Sequence, residues 1–200
     1  MNKFKLGPGD ILVNVNGRND PFSKVKRWLA GPFEHVFLYL GAIDFTPLDK
    51  PPLRVPMLFE SYGRGVSLRT LSERYDQEVV VMRLKAEADR ERIPRVLDEA
   101  IKLASDNQAY YDYLCIVRFA IPRLICEKLG LPMPLKYHRD PWHICSEAVN
   151  EVFIQGGLEL LYLEAVPLPG DFVTDSLLLE KVWAGSLSEE IVSLFEGHPE

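Results

Sequence analysis

The sequence predicts an α+β domain in which one largely antiparallel sheet packs against helices. Four short apolar runs bounded by turn residues predict strands over 11–15, 35–41, 57–61 and 78–84. Apolar residues at helical spacing predict helices over 86–105 and 114–129, and a further helix from Ile144 onward. With 200 residues and 47% hydrophobic content, the chain can bury one good core, so we expect a single domain over residues 1–200.

The first two strands are separated by one short helix. The Asp-Pro pair at 20–21 suits a helix start, which predicts a helix over 20–30. The run 35–41 is apolar on both faces, as a central strand is, and His35 is its first residue. A side chain at a strand end can be presented to a cleft, although an edge histidine with a local partner would occupy the same position.

Proline content marks the next segment. Four prolines within 42–56 favour a loop, which could form a rim or lid over a site. The strand 57–61 follows, antiparallel to the preceding one, and Glu60 interrupts its apolar run. That carboxylate lies either at the solvated end of the strand or beside a basic group. A short surface helix ending near Tyr75 then leads to 78–84, the run richest in β-branched residues.

The second half of the chain is mainly helical. The helix over 114–129 closes at Gly130, and Cys115 and Cys126 lie on one of its faces, where cysteines usually fill a core. Two glycines at 156–157 end the helix that begins after Ile144.

The last elements are expected to be a strand and a helix. A strand is predicted over 160–166, and 169–172 repeats the turn-then-strand wording found near the start of the chain. A final helix is predicted over 175–183, with Asp175 as its cap.

Composition excludes several classes of function. The net charge of −6 and the pI near 5.3 argue against a nucleic-acid partner. No basic run indicates an anionic membrane, and neither a signal peptide nor a membrane span is evident, so a cytoplasmic chain is expected. Three cysteines without a C-x-x-C pair disfavour a disulfide framework and a structural zinc site, and no cofactor is indicated.

Cys145 stands in the first turn of a predicted helix. Pro141 discourages an earlier start, because the residue before a proline is pushed out of the helical region. Unpaired N–H groups and the positive end of the macrodipole favour an anion there, so we expect the pKa of the thiol to fall. The alternative is an ordinary buried cysteine.

A thiolate nucleophile needs a base, and the base needs an acceptor that fixes its tautomer. His35 and Glu60 could supply these roles to Cys145. His143 could assist an oxyanion site or cover the helix start, and the tyrosines at 110–113 could line a pocket or pack beneath the next helix. A metal cluster is disfavoured because no zinc spacing fits its candidate members, His35, His138, His143 and Cys145.

Five short motifs occur in a specific order: PGDIL at 8–12, HVFLYLG at 35–41, LFES at 58–61 followed by GV at 65–66, YDY at 111–113, and CSE at 145–147. In this respect the chain resembles the circularly permuted NlpC-like hydrolases, the YiiX and YebB-like group, over roughly residues 6–180. The resemblance implies a permuted papain-like fold, with a central mostly antiparallel sheet packed against the helix that bears the cysteine nucleophile. By match, the catalytic set is Cys145, His35 and Glu60, and the family's tyrosine corresponds to Tyr111 or Tyr113. The proline-rich 42–56 segment and the 132–141 approach depart from simpler members.

The resemblance implies a cysteine hydrolase, an amidase or peptidase that acts through a thioester on cell-wall peptides, other small peptides or amino-acid amides. Tyr111, Tyr113 and His143 are the expected substrate-binding residues. A lipid acyltransferase or thioesterase would use the same cysteine and histidine on a lipid-acyl substrate. A non-catalytic binding module that retains the cleft is the third possibility.

Overall fold

The computed structural model describes residues 4–15, 31–46, 53–63, 65–106, 109–132, 143–161 and 165–192. The helix expected over 20–30, His138, and most of the 132–141 approach to the cysteine lie outside these residues.

One six-stranded sheet organises the molecule. Its strands are β1 (Ile11–Val15), β2 (Phe33–Phe45), β3 (Leu53–Tyr62), β4 (Gly65–Thr70), β5 (Glu78–Leu84) and β6 (Leu179–Ser186). Their order is β4-β3-β2-β1-β5-β6, and every neighbouring pair is antiparallel. The prediction of an α+β fold whose four main strands share an antiparallel sheet is confirmed.

The helices are α1 (Glu87–Arg90), α2 (Ile93–Ala104), α3 (Tyr113–Cys115), α4 (Ile121–Leu129), α5 (Cys145–Gln155) and α6 (Asp171–Thr174). A π-helical turn, Ile116–Ala120, joins α3 to α4, so 113–129 is one continuous helical run that Gly130 closes at φ +65°. A 3-10 turn, Leu71–Arg74, follows β4. It takes the place of the surface helix expected there.

The loop expected over 42–56 is partly wrong, because β2 and β3 extend into a long hairpin. Ala42 pairs with Pro56, and Ile43 with Val55. β4 pairs with β3 only from Met57 onward, so Pro56 has a neighbouring strand on one side only. A residue without an N–H is tolerated in that position.

The helix expected over 86–105 is divided into α1 and α2. Pro94 lies in the first turn of α2. A proline has no N–H to donate to a carbonyl of the preceding turn, but it suits a helix start, where that donor has no helical partner. The break therefore falls just before it.

The expectations for the C-terminal region were wrong in three places. Residues 175–183 do not form a helix, since β6 pairs with β5 as an edge strand whose apolar residues happen to fall at helical spacing. The strand expected over 160–166 is absent from the part of that range that the structure describes. Leu160 and Leu161 are both buried, whereas successive residues of a half-buried strand alternate between a buried and an exposed face. The turn at 169–170 leads into α6 and not into a strand.

Both faces of the sheet are covered. On one face, α2 and α5 pack over β-strand residues in a cluster that includes Leu38, Phe59, Val96, Val149 and Phe153. On the other face, a smaller cluster contains Phe37, Leu58 and Val81, with Leu6 and Leu187 from the two terminal regions. The first cluster holds α5 against β2 and β3, which brings its N-terminus to the strands that carry His35 and Glu60.

Candidate active site

Cys145 is the first residue of α5, as the sequence predicts, and its side chain is almost fully buried. Glu147 caps the helix by accepting the N–H of Ile144 at 2.9 Å. The approach to the helix is tied to β3, because Ser61 Oγ donates to the carbonyl of His143 at 2.6 Å. Ser146 Oγ donates to the carbonyl of Pro167 at 2.7 Å. These contacts fix the thiol relative to the sheet.

His35 lies near the start of β2 and connects the thiol to a carboxylate. Its Nε2 is 2.7 Å from Glu60 Oε2, and the ring is also hydrogen-bonded to the Cys145 side chain. The ring also packs edge-on against Tyr62, with 5.7 Å between ring centroids. His35 is therefore held on one side by a hydrogen bond and on another by an aromatic ring.

Glu60 is fully buried and has three cationic neighbours. Arg74 Nη2 donates to both carboxylate oxygens, at 2.6 and 2.8 Å, and Arg69 Nε lies 3.2 Å from Oε1. Burial opposes the charged form, but the contacts with His35 and Arg74 outweigh it and lower the pKa of Glu60. Of the two interpretations of this residue, the one with a basic partner is correct.

The thiol and the imidazole favour the charged form of each other. Burial alone would raise the pKa of Cys145, yet the His35 charge and hydrogen bond, with the backbone N–H groups of Val36 and Ser146, lower it. Burial likewise opposes protonation of His35, but the Cys145 thiolate and then Glu60 raise its pKa to about 9. The two shifts act together and favour the thiolate–imidazolium form of the pair over the neutral form.

Of the three expected substrate-binding residues, Tyr111 and Tyr113 differ in whether they interact with the sulfur of Cys145. Tyr111 is half-buried, and burial together with the Cys145 thiolate raises its pKa, so its hydroxyl stays protonated. Tyr113 is exposed, and its ring is tilted by 60° against that of Tyr111, with 4.8 Å between the ring centroids. Its hydroxyl donates to the carbonyl of Gly63 at 3.0 Å. Tyr111 is thus the tyrosine of this pair that interacts with the thiolate, while Tyr113 lies at the rim.

His143, the third expected substrate-binding residue, is half-buried and lies two residues before Cys145 in the sequence. Its backbone N–H donates to the carbonyl of Tyr110 at 3.1 Å, and its carbonyl accepts from Ser61. The backbone of His143 therefore links the tyrosine segment, β3 and the start of α5.

Sequence reasoning missed the two arginines beside Glu60. Arg69 carried a usable signal: in the β3–β4 hairpin Ser67 pairs with Glu60, and a residue two positions further along β4 is on the same face. Arg74 carried none, because the 3-10 turn that returns it to β3 follows the last paired residue. No group of three or more potential metal-ligating side chains occurs among the residues described.

Comparison with family models and with curated proteins finds no match. Among solved structures, the fold is similar to the crystal structure described as the metalloprotein YiiX from Escherichia coli O157:H7. The TM-score is 0.59 at 15% identity, and the match covers 92% of this chain and 100% of that one. At this identity the similarity concerns the fold alone: the chain has an α+β fold like that of YiiX. No helix in the described ranges has the length and apolar character needed to cross a bilayer.

Proposed function

We propose that this protein is a cysteine hydrolase with a permuted papain-like fold, which cleaves amide bonds of peptides or amino-acid amides through a thioester. The observation that supports it is the buried chain of contacts from Cys145 through His35 to Glu60. A buried cysteine with only a structural role has no need of an imidazolium beside it. The similarity to YiiX supports the fold assumed here.

In the first half of the reaction, the Cys145 thiolate attacks the carbonyl carbon of the amide, and the carbonyl oxygen becomes an oxyanion. The protonated hydroxyl of Tyr111 and the N–H groups in the first turn of α5 are the proposed donors to that oxyanion. His35 then gives its proton to the leaving nitrogen, the C–N bond breaks, and an amine departs. The acyl group remains on the sulfur as a thioester.

In the second half, His35 takes a proton from water, and the resulting hydroxide attacks the thioester carbon. The C–S bond breaks, the carboxylic acid leaves, and the thiolate and imidazolium are restored. Glu60 keeps the His35 ring oriented and stabilises its charged form throughout. Arg74 and Arg69 hold Glu60 in the ionised state that this role requires.

A lipid acyltransferase or thioesterase is the second candidate, because the same thioester intermediate serves it. The exposure of Tyr62, Tyr110 and Tyr113 favours it, since these rings give the surroundings of the site an apolar surface that an acyl chain could use. Acyl transfer differs only in the acceptor, which would be an alcohol or amine in place of water.

The experiment is labelling with an electrophilic acyl probe, followed by panels of peptide amides, muropeptides and lipid esters. Labelling should occur at Cys145 and disappear in Cys145→Ala, with Cys126→Ala as the matched control that retains it. Turnover of amides would support the hydrolase, and turnover of lipid esters the second candidate. If Cys145 labels no faster than Cys126 and none of the three panels is turned over, the non-catalytic binding module is the function that remains.

A further inference from the structure

The helical run 113–129 carries apolar side chains on both of its sides. Its inner side includes Cys115 and Ala120, which are buried in a small cluster with Ile144 and Val166. Its outer side should then be polar, as in most surface helices. It is not, since the outward residues, exposed by 42% to 69%, are Leu114, Val117, Ile121, Ile125 and Leu129.

These five residues form one stripe, which we call the outer stripe. Their spacing of three, four, four and four residues keeps them on one side of the helix, over a length of about 22 Å. Of the thirteen large hydrophobic side chains that are exposed among the described residues, eight fall between Tyr110 and Leu131. Such a concentration of exposed apolar side chains is typical of a surface that binds a protein or a membrane.

The charge of this region is opposite to that of the chain. Residues 113–132, the described part of this region, contain three basic residues and one acidic residue, a net charge of +2. The chain as a whole carries −6, so the remainder carries −8. On the helix itself, Arg118 and Lys128 are exposed beside the outer stripe, whereas Arg123 is buried in an ion pair with Asp171. A local positive field around an apolar stripe complements an anionic surface.

Two kinds of surface could cover the outer stripe, a second copy of this chain or a lipid bilayer, and the charge of the region distinguishes between them. A second copy of this chain would bring another region of positive charge against this one, which is unfavourable. An anionic bilayer offers apolar depth for the stripe and negative headgroups for Arg118 and Lys128. The exposed Tyr110 and Tyr113 lie at the N-terminal end of the helical run, and tyrosine is a residue type enriched at the interface between membrane and water.

We propose that the helical run 113–129 docks in the plane of an anionic lipid surface, with the outer stripe inserted among the acyl chains. The inference concerns an interaction surface and does not depend on the thiol chemistry. Where it is combined with the proposed function, it selects the substrate class. The helix starts two residues after Tyr111, which interacts with the Cys145 thiolate, so docking places the reactive thiol at the lipid interface and favours an acyl or amide bond carried by a lipid.

The test is co-sedimentation of the full chain with vesicles of mixed phosphatidylglycerol and phosphatidylcholine, against vesicles of phosphatidylcholine alone. Binding should be stronger to the mixed vesicles and should weaken with salt. The double variant Ile121→Gln with Ile125→Gln should lose about a hundredfold in affinity, because each of the two apolar side chains withheld from lipid forfeits about one power of ten. Leu177→Gln is the control, since Leu177 is even more exposed than Ile121 or Ile125 but lies outside the stripe.

Three outcomes would overturn the proposal: no sedimentation with either vesicle, equal losses in the stripe and control variants, or a concentration-dependent dimer that the stripe variant abolishes. Cys145→Ala should bind vesicles as the wild type does, because the stripe does not include the thiol. The stripe variant should keep the wild-type rate of Cys145 alkylation in the absence of vesicles. Failure of docking is therefore distinguishable from failure of the proposed hydrolase.

Discussion

Replacing Arg74 with Gln removes the guanidinium that donates to both oxygens of the buried Glu60. His35 and Arg69 remain within hydrogen-bond or ion-pair distance of that carboxylate, so we expect Glu60 to stay ionised near neutral pH. The substitution instead changes the electrostatic potential at the His35 ring. A positive charge that opposes protonation of the ring is lost, so the pKa of His35 should rise.

The size of this effect follows from the contacts. Arg74 and His35 bind the same carboxylate, which places their charges roughly 6 Å apart, an interaction of about 1–3 kcal/mol at an effective dielectric constant between roughly 20 and 60. Since one pKa unit corresponds to about 1.4 kcal/mol, the pKa of His35 should rise by roughly one to two units from its wild-type value of about 9. The pKa of Cys145 should move in the same direction by less, because its sulfur is further from Arg74.

The assay is the rate of Cys145 alkylation by iodoacetamide as a function of pH, which needs no knowledge of the substrate. The alkaline inflection reports loss of the His35 proton and should move upward in Arg74→Gln. The acidic inflection reports thiolate formation and should move upward slightly. Among the described residues, the charged or titratable groups that face this pair include Glu60, Arg69, Arg74, Tyr62 and Tyr111.

Two controls separate electrostatics from damage to the fold. Arg74→Lys keeps the charge and should restore the alkaline inflection even if its stability is lower. Arg69→Gln removes a charge that is more exposed and less well aligned, so its shift should be smaller. A folded Arg74→Gln with an unchanged alkaline inflection, or an equal shift in Arg69→Gln, would refute the reasoning.

The remaining predictions concern the proposed catalytic set. At about pH 6, Cys145 should alkylate far faster than the half-buried Cys126 or the buried Cys115, because the His35 imidazolium stabilises its thiolate; equal rates on the native protein would contradict this. Cys145→Ala should reduce hydrolysis to background, and His35→Ala should abolish amide turnover while alkylation persists more slowly. Glu60→Gln should cost on the order of ten- to a thousandfold in turnover, and a loss as large as that of Cys145→Ala with folding intact would mean that Glu60 acts directly on the substrate.

The sheet and the start of α5 were predictable because local signals and tertiary structure agree there. The runs at 11–15 and 78–84 are buried strands in sequence and in structure. Cys145 begins a helix where the sequence places one, after Pro141. The ion-pair interpretation of Glu60 was available from an acid inside an apolar run, since a buried carboxylate needs a cation.

The features that the sequence did not predict depend on contacts between residues far apart in the chain. The apolar residues of β6 fall at helical spacing, and only the free edge of β5 makes them a strand. The helix over 114–129 was predicted, with Cys115 and Cys126 on a face that fills a core. The sequence alone does not say which side of an evenly apolar helix faces outward. Without a basic run, the positive charge of 113–132 was also not recognised, because its basic residues are spread along the segment.

The order in which the parts of the site occur along the chain has a consequence for biosynthesis. His35, Glu60 and Arg74 all lie on the adjacent elements β2, β3 and the turn after β4, so their ion cluster comes from one contiguous segment. The cysteine is supplied about seventy residues later along the sequence. Because chains emerge N-terminus first, the partner that activates the thiol can be assembled before the thiol is translated. A chain stalled before α5 packs would carry an ordinary, weakly reactive cysteine, so the reactive thiolate arises only when β2, β3 and α5 have come together.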